Sequence, residues 1–343
     1  MKGKRKTSSG ACLGWVLAAC WLASNCAWSA QPEATAGQPE GKAPPARLLY
    51  LVEGYGKNVP FKKPEGIWFD RYQQEVYVAD TGNGRISVFD NRGVWLRSFT
   101  HWVGRKSASG KAILQPGEPK SIAVNRRGEI FVVDALASYL DVLDYRGRSL
   151  TKLEAAELVK SEEETTAPGP VTPTEVTLDA ADRVYVGLGG SHNQIVVLDQ
   201  DLKVVRRIGR RGREKGAFFS ITGLATTGDG RMIVTDSAST PVQVFSAAGE
   251  LLLHFGSHDV GWQNFSLPSG AVCDGAGSIW VADAVRQVVK KFDAQGSYVT
   301  ALGGFGVRPG EMRYPVALAG DGGKLLFVLE KVGGRYQVFE VNS

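Results

Sequence analysis

The sequence is short of nearly everything that marks a conventional catalytic centre. It has four cysteines, four histidines and three methionines in 343 residues. Cys12, Cys20 and Cys26 crowd at the N-terminus, so loss of a leader would leave Cys273 as the single thiol. That excludes an intramolecular disulfide framework and leaves stability to a buried core. No Gly-x-Ser-x-Gly and no paired-cysteine site occurs. No apolar run approaches the ~20 residues of a membrane-spanning helix. The surplus of positive charge is absent too, once the leader is set aside. The chain has 40 Lys+Arg and 35 Asp+Glu, and residues 1–29 contribute four basic residues and no acidic ones, so 36 stand against 35 in the remainder. A near-neutral body gives no electrostatic case for nucleic acid.

What is present begins with a leader. Lys2, Lys4, Arg5 and Lys6 precede an apolar run from Ala11 to Ala23, and small residues (Ala27, Ser29, Ala30) follow. This order is that of a secretory signal peptide over 1–29. Ala27-Trp28-Ser29 offers cleavage after Ser29, while Leu17-Ala18-Ala19-Cys20 resembles a bacterial lipobox that would place a lipid on Cys20. Residues 30–46 are Pro, Ala, Gly, Gln and Glu with almost nothing to bury, and read as a disordered tether. The expectation is an exported protein, periplasmic or secreted, or an outer-membrane lipoprotein if Cys20 is modified. A membrane would then be met only through that anchor.

The body, 47–343, is periodic. One run recurs as YVAD ending at Asp80, FVVD at Asp134, YVGL at Leu188, IVTD at Asp236, WVAD at Asp283 and FVLE at Glu330, in steps of 54, 54, 48, 47 and 47 residues. A second recurs beside it, ending at Asp90, Asp144, Asp199, Ser246, Asp293 and Glu340. Each copy holds four short β-branched and aromatic runs separated by turn residues. Six such copies predict an all-β fold: a monomeric six-bladed β-propeller of four-stranded antiparallel blades. The sixth copy lacks a fourth strand, and a spare strand at Leu48–Glu53 precedes the first. The N-terminal strand is therefore expected to complete the last blade.

Pro64-Glu65-Gly66-Ile67, then Val76-Tyr77-Val78-Ala79-Asp80 with Asn83, Arg85 and Ile86, resembles the NHL repeat, as does Gly209-Arg210-Arg211-Gly212 with Gly216-Ala217-Phe218. The likeness spans about 47–343, and is strongest in the first copy. Copies two, three and six depart from it; Leu188 and Glu330 replace the aspartate. The resemblance implies a platform for binding macromolecules. Among similar propellers are zinc-dependent lyases that direct histidines at the axis, and hydrolases of lactones or phosphoesters with axial carboxylate and Asn ligands. Here the acidic residues near the inner strands are Glu65, Glu118 and Glu175, in the first three copies only.

Loops between second and third strands and loops between blades should open on one face, where binding residues concentrate. On that face we place Arg85, Trp102, His192, Arg210, Arg211, Trp262 and Arg286 as candidate binding residues. The stretches 206–215, with six basic residues, and 154–164, with five glutamates, lie between blades. Asp80, Asp134, Asp236 and Asp283 are expected to cap their own turns by accepting N–H groups two residues on. The expected function is an extracytoplasmic scaffold for a protein partner, without catalysis, cofactor or nucleic acid. The alternatives are a cell-wall glycan or peptide ligand, or a lyase or hydrolase using Zn or Ca, with His101, His192 and His258 as the zinc candidates.

Overall fold

The computed structural model of the chain describes residues 44–55, 59–106, 111–159 and 169–342. The leader, Cys20, most of the tether and residues 160–164 of the acidic stretch lie outside the described residues.

Six four-stranded antiparallel sheets form the blades of a propeller. The innermost strands are Gly66–Asp70, Pro119–Val124, Val171–Leu178, Ile221–Thr226, Pro268–Cys273 and Pro315–Gly320, and each packs against its neighbours on both sides around a closed ring. The second and third strands of a blade are covered on both faces by adjacent blades. Their side chains are accordingly buried almost without alternation, as in Ile130–Asp134, Tyr139–Leu143 and Ile279–Asp283. This is why the recurring runs read as continuous β-branched and aromatic segments and not as a period of two. Only the outermost strands, such as Ser149–Glu154, are largely exposed.

Ring closure is as expected, with a shift at its start. Ala46–Val52 forms the outer strand of the sixth blade and pairs with Arg335–Val341, from Ala46↔Val341 to Val52↔Tyr336. Ala46 therefore belongs to the propeller and not to the tether; it is buried in the seam with Phe339 and Val341. Two departures lie between blades. A β-hairpin, Trp102–Lys106 with Ala112–Pro116, separates blades 1 and 2, and a four-residue helix, Ala155–Leu158, follows the outer strand of blade 2. These extra elements account for residues of the longer repeats. The stretch 206–215 also divides: Arg206 and Arg207 lie in the outer strand Val204–Ile208, and only 209–215 is loop.

Candidate functional site

The inter-blade loops are fixed to the blades by two recurring buried groups. The first is the acidic residue closing the second strand. Asp236 accepts the N–H groups of Phe219 and Ser220 (2.7 and 3.1 Å) from the incoming loop, and those of Ala238 and Ser239 (both 2.9 Å) from its own turn. Asp283 takes Ser266 and Leu267 (both 3.0 Å), and Glu330 takes Arg313 (2.7 Å). Asp134 caps its turn at Leu136 (2.9 Å) as expected. Asp80 does not. Lys62 N–H, Asn83 Nδ2 and Arg85 Nε occupy its oxygens at 2.7, 2.8 and 2.8 Å, so it braces the preceding loop and the Asn-Arg turn instead.

The second group is a polar residue in the middle of the third strand. Gln243 accepts from Gly216 N–H (2.7 Å) and donates to Ala217 C=O (3.0 Å). Gln337 repeats this with Gly310 and Glu311 (2.8 and 2.7 Å). Lys290, fully buried, donates to Asn264 C=O and to Asp283 (3.0 Å). Burial pushes its ammonium down to about 8, against the pull of Asp283. A buried polar group in a hydrophobic strand is costly unless paired. Here the pairing holds a loop in place.

The face these loops form is not uniformly polar. The four most exposed large apolar side chains, Val260, Phe305, Leu114 and Val307 (84, 77, 68 and 66 %), all lie in inter-blade segments. The opposite face carries Tyr72, Val94 and Tyr145. Trp102 stands half-exposed on the hairpin, where with Leu114 it walls a rim cavity of about 690 Å³. Trp262 is partly exposed and stacked on Tyr298 at 6.4 Å, so it both packs and faces solvent.

The other candidate residues are largely engaged within the fold. Arg85 pairs with Asp80 (2.7 Å) and covers the Tyr55 ring. Arg286 clamps its neighbouring loop through Gly261 C=O, Asp259 C=O and Ser266 Oγ (2.5, 2.6 and 3.0 Å). Arg210 pairs with Glu214 (2.7 Å), and Arg211 lies over the Phe219 ring.

The histidines do not converge. His101 is not on the open face: it is buried in the seam between blades 1 and 2, with Nδ1 on Asp134 (2.7 Å) and Nε2 on Asp141 (3.3 Å). Burial works against its charge, but the bonds to the two carboxylates outweigh this and raise its pKa. His192 Nδ1 bonds Ser191 Oγ (2.8 Å), and His258 Nε2 meets Ser239 C=O (3.0 Å). Among the described residues no group of three His, Cys, Asp or Glu side chains is placed to hold a metal. This donor set does not fit the catalytic zinc arrangement of three protein ligands.

A channel of about 110 Å³ runs along the axis, walled by the inner strands of all six blades. Strand register makes one wall position equivalent throughout: Gly66, Ser121, Glu175, Gly223, Gly270 and Ala317, each opposite the residue before the acidic terminus of strand two or its counterpart. Five copies are small because the next blade approaches closely; a Cβ at Gly223 would meet Gly270 Cα at 2.8 Å. The third copy places a glutamate there, opposite Gly187, which is Ala, Val, Thr or Leu elsewhere. Glu175 is part-buried and lines the channel, and burial pushes its carboxyl up to about 8, against a hydrogen bond from Ser121 and the charge of Lys120. At neutral pH it is largely protonated and able to donate a hydrogen bond. Above it Glu65 is held by Lys331 (2.5 Å) and Lys120 (3.5 Å). Two ammonium groups on the Glu65 carboxylate do not fit a calcium site, which requires oxygen ligands free to turn to the ion.

No family model matches the chain. Among curated proteins, Tripartite motif-containing protein 3 of Mus musculus is 39% identical over 62 residues, 18% of this chain and 8% of that protein. The chain thus matches less than a tenth of that relative. Similar solved structures include a gluconolactonase from Xanthomonas campestris (13% identity, 88% of this chain and 96% of that one, TM-score 0.58). Another is virginiamycin B lyase from Staphylococcus aureus (10%, 85% and 99%, TM-score 0.55). At these identities the likeness is one of fold, the six-bladed β-propeller, and carries no activity with it.

Proposed function

We propose that the protein is an exported NHL-type propeller that binds a protein partner through the face formed by its inter-blade loops. One observation carries this reading: the most exposed large apolar side chains gather on the inter-blade segments, held by loops that are themselves locked to the blades. These groups supply apolar area that a partner can bury, and a surface already ordered loses less entropy when a partner docks. The lyase and hydrolase alternatives would draw on the axial channel, whose two glutamates are a protonated acid and a carboxylate tied to two lysines.

The test is a pull-down from the producing organism with the immobilised propeller. Recovery of the partner should fall at least tenfold with Trp102→Ala combined with Arg210→Ala and Arg211→Ala, and should be unchanged with Glu175→Gln. Unchanged recovery with the loop variant would remove the loop face as the binding surface. For the anchor, Cys20→Ser should move the protein from the membrane fraction to the soluble one. An unaltered distribution would leave Ser29 as the processing site.

A further inference from the structure

The loop between blades 5 and 6 repeats the loop between blades 3 and 4 part for part. Glycines at positive φ frame both: Gly209 and Gly216 (74° and 81°), Gly303 and Gly310 (95° and 88°). A parallel bridge crosses both, Arg211 with Phe218 and Phe305 with Met312. The same backbone bonds close both: Ala217 N–H to Glu214 C=O and Glu311 N–H to Arg308 C=O (both 3.0 Å), and Phe218 N–H to Arg210 C=O and Met312 N–H to Gly304 C=O (2.8 and 2.7 Å). The third-strand glutamines Gln243 and Gln337 close both in the same way.

The same backbone therefore displays Arg211 in one loop and Phe305 in the other. Folding does not require an apolar side chain at this position, yet Phe305 is there and 77 % exposed, with Val307 two residues on. The intervening loop, between blades 4 and 5, also displays an apolar side chain. Val260 projects from 256–267, a segment held by Arg286 and Lys290. The charge around these groups is mostly positive. In the face loops over blades 4, 5 and 6 (209–220, 237–241, 256–267, 284–287, 304–314 and 331–334), eight Lys and Arg stand against three Asp and Glu. Arg308 and Arg313 lie in the Phe305 loop itself.

We infer that this half of the face docks an acidic protein, with Phe305 and Val260 entering apolar recesses of the partner while Arg308 and Arg313 meet its carboxylates. The inference rests on the protein-binding reading and narrows it to one sector and one partner chemistry. Loops already fixed to the blades lose little entropy on docking and hold Phe305 and Val260 at set positions, which suits recesses of fixed shape on a folded partner. Opposite charge across the interface steers association and selects the partner.

The probe is p-benzoyl-phenylalanine introduced in place of Phe305, with the same replacement of Val94 on the opposite face as control, irradiated in producing cells. The expected result is a protein adduct from position 305 only, with a net acidic crosslinked peptide. The purified partner should then bind at least tenfold more weakly to Phe305→Arg, and to Arg308→Glu with Arg313→Glu, but equally to Val94→Ala on the opposite face. Phe305→Arg copies the sister loop, so its melting temperature should match the parent and separate lost binding from lost fold. An adduct to lipid, to a second copy of this chain or to a basic protein overturns the inference, as does no adduct. If the loop-face variants abolish recovery while position 305 gives no adduct, the broader reading survives and this one falls.

Discussion

His101 and Glu175 are buried ionisable groups whose burial makes stability depend on pH, each through a different charge state. His101 is favoured as the cation between Asp134 and Asp141. Its folded pKa lies above the unfolded value of about 6.5, so its contribution is complete below that pH and is lost as pH rises through the folded value. Replacing it leaves two buried carboxylates without the cation between them. His101→Gln should cost about 3–5 kcal/mol at pH 6, and the gap from the parent in urea unfolding should narrow toward pH 9. A pH-independent gap would show that the imidazole is neutral. Glu175 is favoured as the neutral acid. The folded state holds its proton between about 4.5 and about 8 while the unfolded state releases it, so stability falls as pH rises across that window. Glu175→Gln should flatten this decline, most visibly near pH 8. The two residues were not equally legible. Glu175 stands out in the sequence as an acid in the inner strand of the third repeat, although its equivalence to a column of small residues requires the strand register. His101 gives no local signal, because its partners lie 33 and 40 residues away.

At the scale of the element, strands and loops differ in what their sequences reveal. The strands are readable because burial on both faces demands unbroken β-branched and aromatic runs, and these repeat six times. The loops are held by single polar atoms that reach across the chain: Gln337 to Gly310, Asp236 to Phe219. The recurring aspartate is visible, but read locally it is a turn cap, and its second task of bracing the incoming loop depends on tertiary proximity. Asp236→Ala would strand four N–H groups, those of Phe219, Ser220, Ala238 and Ser239. At about 1–3 kcal/mol for each buried donor left unpaired, urea unfolding should show a loss of at least about 3 kcal/mol. A loss below about 1 kcal/mol would mean that water replaces the carboxylate and that the loop is not pinned from this residue. The hairpin at Trp102–Lys106 was missed for a related reason: one short strand pair between blades adds no repeat.

For the whole molecule, the repeat count and the closure are linked. Six copies yield six complete blades because Ala46–Val52 supplies the strand missing from the last. Removing residues through Val52 would expose the Arg335–Val341 edge and uncover Tyr336 and Phe339. The truncated chain should melt well below the parent and aggregate, as unprotected edges do, whereas removal through Lys42 should leave both properties unchanged. A monomeric truncation with the parental melting temperature would show that closure does not depend on this strand. The ring itself is generic: similar propellers serve as a lactonase and a lyase. Its axis is lined by Glu175, whose carboxyl burial pushes up, and by the lysine-bound Glu65, beneath a face that displays apolar side chains on fixed loops. Hydrogen–deuterium exchange of the propeller with and without its crosslinked partner tests that assignment most directly. Slowed exchange in 256–267 and 304–314, with the turns at 71–74 and 91–94 and the strand holding Glu175 unchanged, is the predicted result. Protection confined to those turns or to the axial strands would contradict it.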